Sequence, residues 1–246
     1  MAYEFLADSY DRLTRDIPYG EILDFYQRIM ALYGKTPRTV LDLACGTGSM
    51  SVLLAQAGYQ VLGVDRSEQM LTVAYDKAME LKENRPYFIC QPMEKLRLAQ
   101  PVDCAVCCLD SLNYVTDPAL CRQAIRRIYS QLKPGGLLIF DVNSEEKLRS
   151  LDGQIFLDED DDVYCVWRAD FDEARRICTY GMDIFTRAGR LWQREGEAHE
   201  EYAYTRRELT EYLEQAGFFQ IRCFGDRKLT PPEENEQRLY FAATRE

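Results

Sequence analysis

Two aspartates and two glycines, spaced Asp42-x-x-x-Gly46-x-Gly48 and followed by Asp65, carry the clearest chemistry in the chain. Glycines two apart let a backbone turn approach a ligand with no Cβ in the way. A carboxylate about twenty residues further on is where a pair of ribose hydroxyls is held. Asp42 falls inside an apolar run, where a carboxylate is costly unless turn amides or a ligand hydrogen-bond to it. A dinucleotide-binding turn would carry a third glycine three positions after the second, and Ser51 stands there instead. The pattern suits a turn that cradles an amino acid and a ribose better than one that cradles a pyrophosphate. Asp65→Ala is therefore expected to weaken a ligand and to leave the ligand-free melting temperature almost unchanged.

These residues need a strand, turn, helix and strand to hold them. Val40, Leu41 and Leu43 form a short apolar strand, and apolar positions then recur at helical spacing through Met50, Leu53, Leu54 and Ala57. Gly58 closes that helix in the left-handed conformation, and Val61 to Val64 makes a second buried strand ending on Asp65. Upstream, residues 2–13 and 20–33 read as helices, and Tyr10-Asp11-Arg12-Leu13 is positioned to fold over the glycine turn. Downstream, Ser67 caps a helix bearing Met70, Leu71, Ala74, Ala78 and Leu81. Two more strands, 87–90 and 102–109, run into the polar loops Gln91-Pro92-Met93-Glu94 and Asp110-Ser111-Leu112-Asn113-Tyr114. In open α/β sheets ligands bind at that carboxyl edge, so three loops converge on one crevice.

Asp117-Pro118 starts a helix with Leu120, Ala124, Ile125, Ile128 and Leu132 facing inward, and Lys133-Pro134-Gly135-Gly136 turns the chain into a fifth strand, 137–142. The rhythm changes from about Ser150 to Tyr204, where segments near 154–157, 163–169, 177–185 and 191–199 read as antiparallel strands. Thr205-Arg206-Arg207-Glu208 is a capping box that opens a last helix, and strands 218–224 and 239–244 bring the core to seven. The expected fold is α/β, a Rossmann-like seven-stranded mostly parallel sheet with helices on both faces and an antiparallel β insert. The core comprises 1–149 and 203–246, and the insert 150–202. Standing beside the crevice, the insert is expected to wall an acceptor pocket, with Tyr164, Trp167, Phe185 and Trp192 as candidate lining.

Composition narrows the function. The 246 residues carry a net charge of −11 and no basic stripe, which argues against nucleic acid. No stretch approaches the ~18 apolar residues of a membrane span, and the first residues lack the regions of a signal peptide, so a cytoplasmic location is expected. The nine cysteines are scattered and do not resemble a disulfide framework. Cys104, Cys107 and Cys108 lie in an apolar run and read as core, and the acidic run 158–162 reads as a solvated loop. His199 is the only histidine, which speaks against a Ser-His-Asp or multi-histidine metal site; no metal is expected.

Val40-Leu41-Asp42-Leu43-Ala44-Cys45-Gly46-Thr47-Gly48, the terminal Asp65, Cys90-Gln91-Pro92-Met93, Leu109-Asp110-Ser111-Leu112-Asn113-Tyr114 and Leu132-Lys133-Pro134-Gly135-Gly136 together resemble the class I S-adenosylmethionine-dependent methyltransferases, over nearly the whole chain. The nearest branch is a bacterial small-molecule-type group with an N-terminal Tyr-Asp-x-Leu element and an antiparallel insert. The resemblance implies strand order 3-2-1-4-5-7-6 with the seventh strand antiparallel, and S-adenosyl-L-methionine as cofactor. It places Gly46 and Gly48 under the methionine part, Asp65 on the ribose, Met70 and the Met93 N–H at the adenine, and Leu109 and Asp110 beside the sulfonium. Tyr10, Asp42, Ala44, Arg66, Gln91 and Pro92 complete the implied cofactor set. Pro92 stands where an acid usually binds the adenine amino group, and Ala44 replaces the commonest first glycine. A base is needed only if the acceptor arrives protonated; His199, Tyr10 and Tyr114 are the candidates.

The expected activity is methyl transfer to a small-molecule acceptor; the sequence names neither the acceptor nor the oligomeric state. An NAD-dependent oxidoreductase would also use Gly46, Gly48 and Asp65, but leaves Asp42 and the insert without a role. A non-catalytic cofactor-binding protein would keep the loops and lack an acceptor pocket.

Overall fold

The computed structural model describes residues 7–246. The helix expected over 2–13 is seen as α1 (Ala7–Leu13), and its first part lies outside the described residues. Helix α2 (Tyr19–Leu32) buries Ile22, Leu23, Phe25, Tyr26, Ile29 and Met30, the stripe set by its apolar spacing. Then come β1 (Thr39–Leu43), α3 (Ser49–Gln56), β2 (Gln60–Asp65), α4 (Glu68–Met79), β3 (Tyr87–Cys90), β4 (Val102–Cys107), α5 (Pro118–Gln131) and β5 (Leu132–Asn143). After the short α6 (Glu145–Ser150) follow β6 (Ile155–Glu159), β7 (Val163–Asp172), β8 (Ile177–Ala188) and β9 (Leu191–Tyr202). Helix α7 (Arg206–Ala216) and strands β10 (Phe218–Phe224) and β11 (Arg238–Arg245) end the chain.

Among the described residues the strands make two sheets. The first has order β10-β11-β5-β4-β1-β2-β3, which is 3-2-1-4-5-7-6 when the core strands are counted alone. β1 to β5 pair in parallel, and β11 runs antiparallel to both β5 and β10. The second sheet is an antiparallel meander, β6-β7-β8-β9. Asn113, fully buried, joins the two: its side chain donates to the carbonyls of Asn143 and Tyr202 and accepts from the Asn143 N–H. The Tyr202 N–H returns a bond to the Asn113 carbonyl.

Local sequence signals explain the helix ends. Ser67, Asp117 and Ser144 cap α4, α5 and α6 through their side chains, and Thr205 with Glu208 completes the capping box of α7. Gly58 and Gly217 follow α3 and α7 at φ of 95° and 99°. Two expectations shift. Leu120 points to solvent at 39% exposure, because Cys121 takes the buried position one residue on. The Lys133-Pro134-Gly135-Gly136 segment is a bulge within β5, since Leu132 already pairs with Val102 before the register moves to Leu137 opposite Cys104. Cys104, Cys107 and Cys108 are buried in the core, as their apolar setting implies.

Gly63 in β2 is held to glycine by space, because a Cβ there would stand 2.4 Å from the Phe88 ring and 3.0 Å from the Cys45 sulfur. Gly63→Ala should therefore destabilise the chain by about 1–3 kcal/mol, read as a lowered urea midpoint. Adding Phe88→Leu should recover most of the loss, whereas an unchanged midpoint in the single variant would show that the β2–β3 face is loosely packed.

Candidate functional site

The site grows from the turn after β1. Ala44, Gly46 and Gly48 all take positive φ (55°, 53° and 78°), so the chain needs left-handed backbone three times within five residues. Glycine does this freely, whereas Ala44 bears a cost of roughly 1–2 kcal/mol for its Cβ. A Cβ at Gly46 would meet nothing within 4 Å and would project into open space, while one at Gly48 would strike Ala74 at 2.9 Å. The two glycines thus serve different ends: Gly46 leaves room beside the turn, and Gly48 lets α3 pack on α4.

Asp65 braces this turn. Its Oδ2 accepts from the Gly46 N–H at 2.9 Å and its Oδ1 from the Ser67 N–H at 2.8 Å. Burial raises its carboxyl, and the Ser67 and Gly46 amides hold it down again. Asp65 therefore has a structural duty that its position in sequence did not disclose. Below the turn, Asp42 is fully buried, accepts from the Ser51 hydroxyl at 2.6 Å, and keeps Oδ1 without a hydrogen-bond partner. Above it, the Asp11 carboxylate of α1 accepts from the Thr47 hydroxyl at 2.7 Å and pairs with Lys77 at 2.6 Å. Arg12 makes a two-pronged bond to Asp160 at 2.8 Å, so α1 ties the glycine turn to the β6–β7 hairpin. The acidic run is thereby partly engaged rather than wholly solvated.

After β4 the chain turns through Leu109 and Asp110, both at positive φ (56° and 51°). Their N–H groups donate to the two oxygens of Asp141 at 2.9 and 3.1 Å, and Asp141 also accepts from the Tyr26 hydroxyl and pairs with Arg238. Arg238 in turn holds Asp110 at 2.7 Å and the Asn143 side-chain oxygen at 3.1 Å.

Two cavities open on this framework. The first, about 400 Å³, lies over the glycine turn and the carboxyl ends of β1, β2 and β3. The second, about 570 Å³, lies between the Leu109–Asp110 turn, α2 and the inner face of the antiparallel sheet. Tyr10, Leu109, Tyr114 and His199 line both. The Tyr114 and His199 rings meet edge to face at 6.1 Å, and the His199 Nε2 lies 3.2 Å from a Glu197 carboxylate oxygen, both side chains almost fully buried. Burial, with the field of Asp110, pushes the Tyr10 phenol well above its ordinary range, which makes Tyr10 a hydrogen-bond donor and a poor base.

The structure brings Tyr10, Ala44, Gly46, Asp65, Arg66, Met70, Gln91, Pro92, Met93 and Leu109 together around the first cavity. Three residues assigned to the cofactor are not on its wall. Asp42 and Gly48 stand behind it, the one against Ser51 and the other against α4. Asp110 faces the second cavity because Arg238 draws it there. Of the insert aromatics, Trp167 lines the second cavity, whereas Tyr164, Phe185 and Trp192 surround a shallow pocket with Glu159, Asp160 and Asp161 elsewhere on the insert. Strand alternation separates Tyr164 from Trp167. Sequence reasoning missed Tyr180, Met182, Glu201 and Arg238 on the second cavity. The two-residue period of β8 and β9 carried the signal for the first three, while only the tertiary fold brings Arg238 there.

A model of the methyltransferase domain matches residues 40–136. Over 246 residues the chain is 33% identical to a protein of Geobacillus sp. (strain WCH70), covering 99% of each, and 31% identical to YqeM of Bacillus subtilis (strain 168), covering 99% of this chain and 97% of the relative; both carry provisional methyltransferase names. The crystal structure of an S-adenosylmethionine-dependent methyltransferase from Clostridium acetobutylicum ATCC 824 superposes with a TM-score of 0.86, at 30% identity and 99% coverage of both chains.

Asp42 gives the site a pH signature. Burial, reinforced by Asp65 and opposed by the Ser51 hydrogen bond, pushes its carboxyl up to about 7. The folded chain then keeps this proton while the unfolded chain loses it near pH 4, so this contribution to stability declines as pH rises from about 4 to 7. Between pH 5 and 7.5 the wild type should lose on the order of 2 kcal/mol relative to Asp42→Asn, measured by urea unfolding of the ligand-free proteins. Parallel pH profiles for the two would show that Asp42 is ionised in the fold throughout.

Proposed function

The chain belongs to the class I S-adenosylmethionine-dependent methyltransferases, and from that premise we propose that it methylates a small molecule held in the second cavity. One observation carries the reading: the two cavities meet across Tyr10, Leu109, Tyr114 and His199, so a donor in one and an acceptor in the other face each other over a shared wall. Methyl transfer from a sulfonium is an in-line displacement, for which a protein chiefly aligns the partners and excludes water.

The residues of the first cavity fit the cofactor. Gly46 offers space and Asp65 offers a carboxylate on the cavity wall for ribose hydroxyls, while Asp42, behind that wall, keeps an unmatched buried oxygen under the turn. Bound there, S-adenosylmethionine would supply a methyl group on a positively charged sulfur. Pro92 lacks the acid that usually meets the adenine amino group, and the Gln91 side chain is occupied with the backbone of Arg97. Glu94, two residues beyond Pro92 and on the same cavity, is our candidate for that contact.

In this reading residues 150–202 roof the acceptor site, with Phe156, Trp167, Tyr180 and Met182 as its apolar wall. The acceptor volume of about 570 Å³ and the acidity of the chain favour a small molecule over nucleic acid. The oxidoreductase alternative gains no support, because the turn lacks the third glycine of a pyrophosphate cradle.

Calorimetric titration tests the reading: S-adenosylmethionine or S-adenosylhomocysteine should bind, and NAD should not. Asp65→Ala should weaken either sulfur ligand at least ~10-fold, since each lost hydrogen bond to a carboxylate is worth roughly 1.5–3 kcal/mol before water offsets it. The same change should now also lower the ligand-free melting temperature, because it frees the Gly46 and Ser67 amides. NAD binding without a response to either sulfur ligand would refute the assignment.

A further inference from the structure

The cations around the second cavity are mostly spent. Arg238 is committed to Asp110 and Asp141, and Arg227 to Asp226 and Glu21. Lys147 stands near Asp110 and helps to keep it charged. Among the acids of this wall, Asp158 accepts the Trp167 indole N–H at 2.8 Å. Glu201 is placed otherwise. Only 2% exposed, it lies on the cavity wall and accepts from the Asn143 amide at 2.9 Å, and no described residue forms an ion pair with it.

A buried carboxyl without a cation is either a neutral acid that donates a hydrogen bond or the counter-ion of a charge brought by a ligand. Its surroundings favour the counter-ion. The groups that meet Glu201, the Asn143 amide and the Tyr180 hydroxyl, are donors, which suit a carboxylate. Burial and the nearby Asp110 raise its proton affinity and outweigh the Asn143 and Tyr180 hydrogen bonds and the field of Arg238, which is itself paired with Asp110 and Asp141, so a further positive partner would favour the charged form. The adjoining wall suits one: the Phe156 and Trp167 rings stack at 4.4 Å, Tyr180 tilts against Trp167 at 5.6 Å, and aromatic faces attract cations.

We propose that the acceptor is a small amine that enters as its ammonium ion, that Glu201 is its counter-ion and proton acceptor, and that the amine nitrogen receives the methyl group. This rests on the second cavity being the acceptor site. An N–H bond of the ammonium breaks, its proton passing to a Glu201 oxygen and its electron pair staying on nitrogen. That pair forms the new N–C bond while the methyl–sulfur bond breaks towards sulfur, which becomes a neutral thioether. The methylated nitrogen is again cationic, and Glu201 releases its proton to water as the product leaves.

The test uses methyl-tritiated S-adenosylmethionine with the full-length protein and a deproteinised bacterial small-molecule extract, separated beforehand on cation and anion exchangers. The expected result is label transfer within the cation-retained fraction, into a product whose fragmentation puts the methyl on nitrogen. Glu201→Gln, which mimics the neutral acid, should reduce that transfer at least 100-fold with a melting temperature near the wild type. Equilibrium dialysis against the same fraction should show the wild type, and not Glu201→Gln, enriching the amine without any turnover. Label only in neutral or anionic products, or on oxygen, overturns the amine assignment on the wild type alone, whatever the variant does. An active Glu201→Gln overturns the role of Glu201. No label from any fraction, with S-adenosylmethionine bound, removes the transferase reading itself and this inference with it.

Discussion

The Asp141 carboxylate, 1% exposed at the end of β5, is the interaction on which the site depends. Two consecutive residues without glycine's freedom, Leu109 and Asp110, are held in left-handed backbone because both their N–H groups converge on it. The same carboxylate takes the Tyr26 hydroxyl from α2 and the Arg238 guanidinium from β11. One anion thus fixes a helix, two neighbouring strands and a loop from a third. Removing it would leave Arg238 to Asp110 and the Asn143 side-chain oxygen alone, and Leu109 and Asp110 in left-handed backbone with no common partner. Leu109, at the meeting of the cavities, owes its position to this carboxylate more than to its own packing.

The two sheets divide the work. The parallel sheet offers loops at its carboxyl edge, each fixed by a bond to backbone: Asp65 to Gly46 and Ser67, Asp141 to Leu109 and Asp110. The antiparallel sheet offers a face, with side chains alternating between cavity and exterior. Asn113 couples them through its side-chain amide and its carbonyl, so the antiparallel face is registered to the loops at the carboxyl edge of the parallel sheet. Buried side-chain amides that are fully bonded are specific in this way because any slip leaves donors unmatched.

What the sequence disclosed follows the range of each interaction. Caps at Ser67 and Thr205, the glycines after α3 and α7, and the strand that ends on Asp65 are local, and their residue types reveal them. Much of the first cavity was legible for the same reason, since the loops at its base have places fixed by the strand pattern, while Tyr10 and His199 reach it from α1 and β9. The second cavity was not. Arg238 and Asp110 are 128 positions apart and Asn143 and Glu201 are 58 apart, and no periodicity pairs them. Asp110 was assigned to the cofactor because its loop belongs there; a distant arginine turns its side chain away. Tyr164 and Trp167 were grouped as aromatics, although three residues along a strand is half a period out of phase.

Strand β9 puts Glu197, His199 and Glu201 on one side by the simple rule of alternation, opposite Met182, Tyr180 and Cys178 in the neighbouring β8. A deletion or insertion of one residue between the hairpin tip and Tyr202 would exchange the two sides, turning Glu201 away from the second cavity and Ala198 and Glu200 away from the first. The residue count of β9 between the Gly189 tip and Tyr202 therefore decides which side Glu201 faces. The spacing from Glu197 to Asn113's partner Tyr202 is thus a ruler that fixes which β9 side chains reach the second cavity, set by residue number rather than residue type.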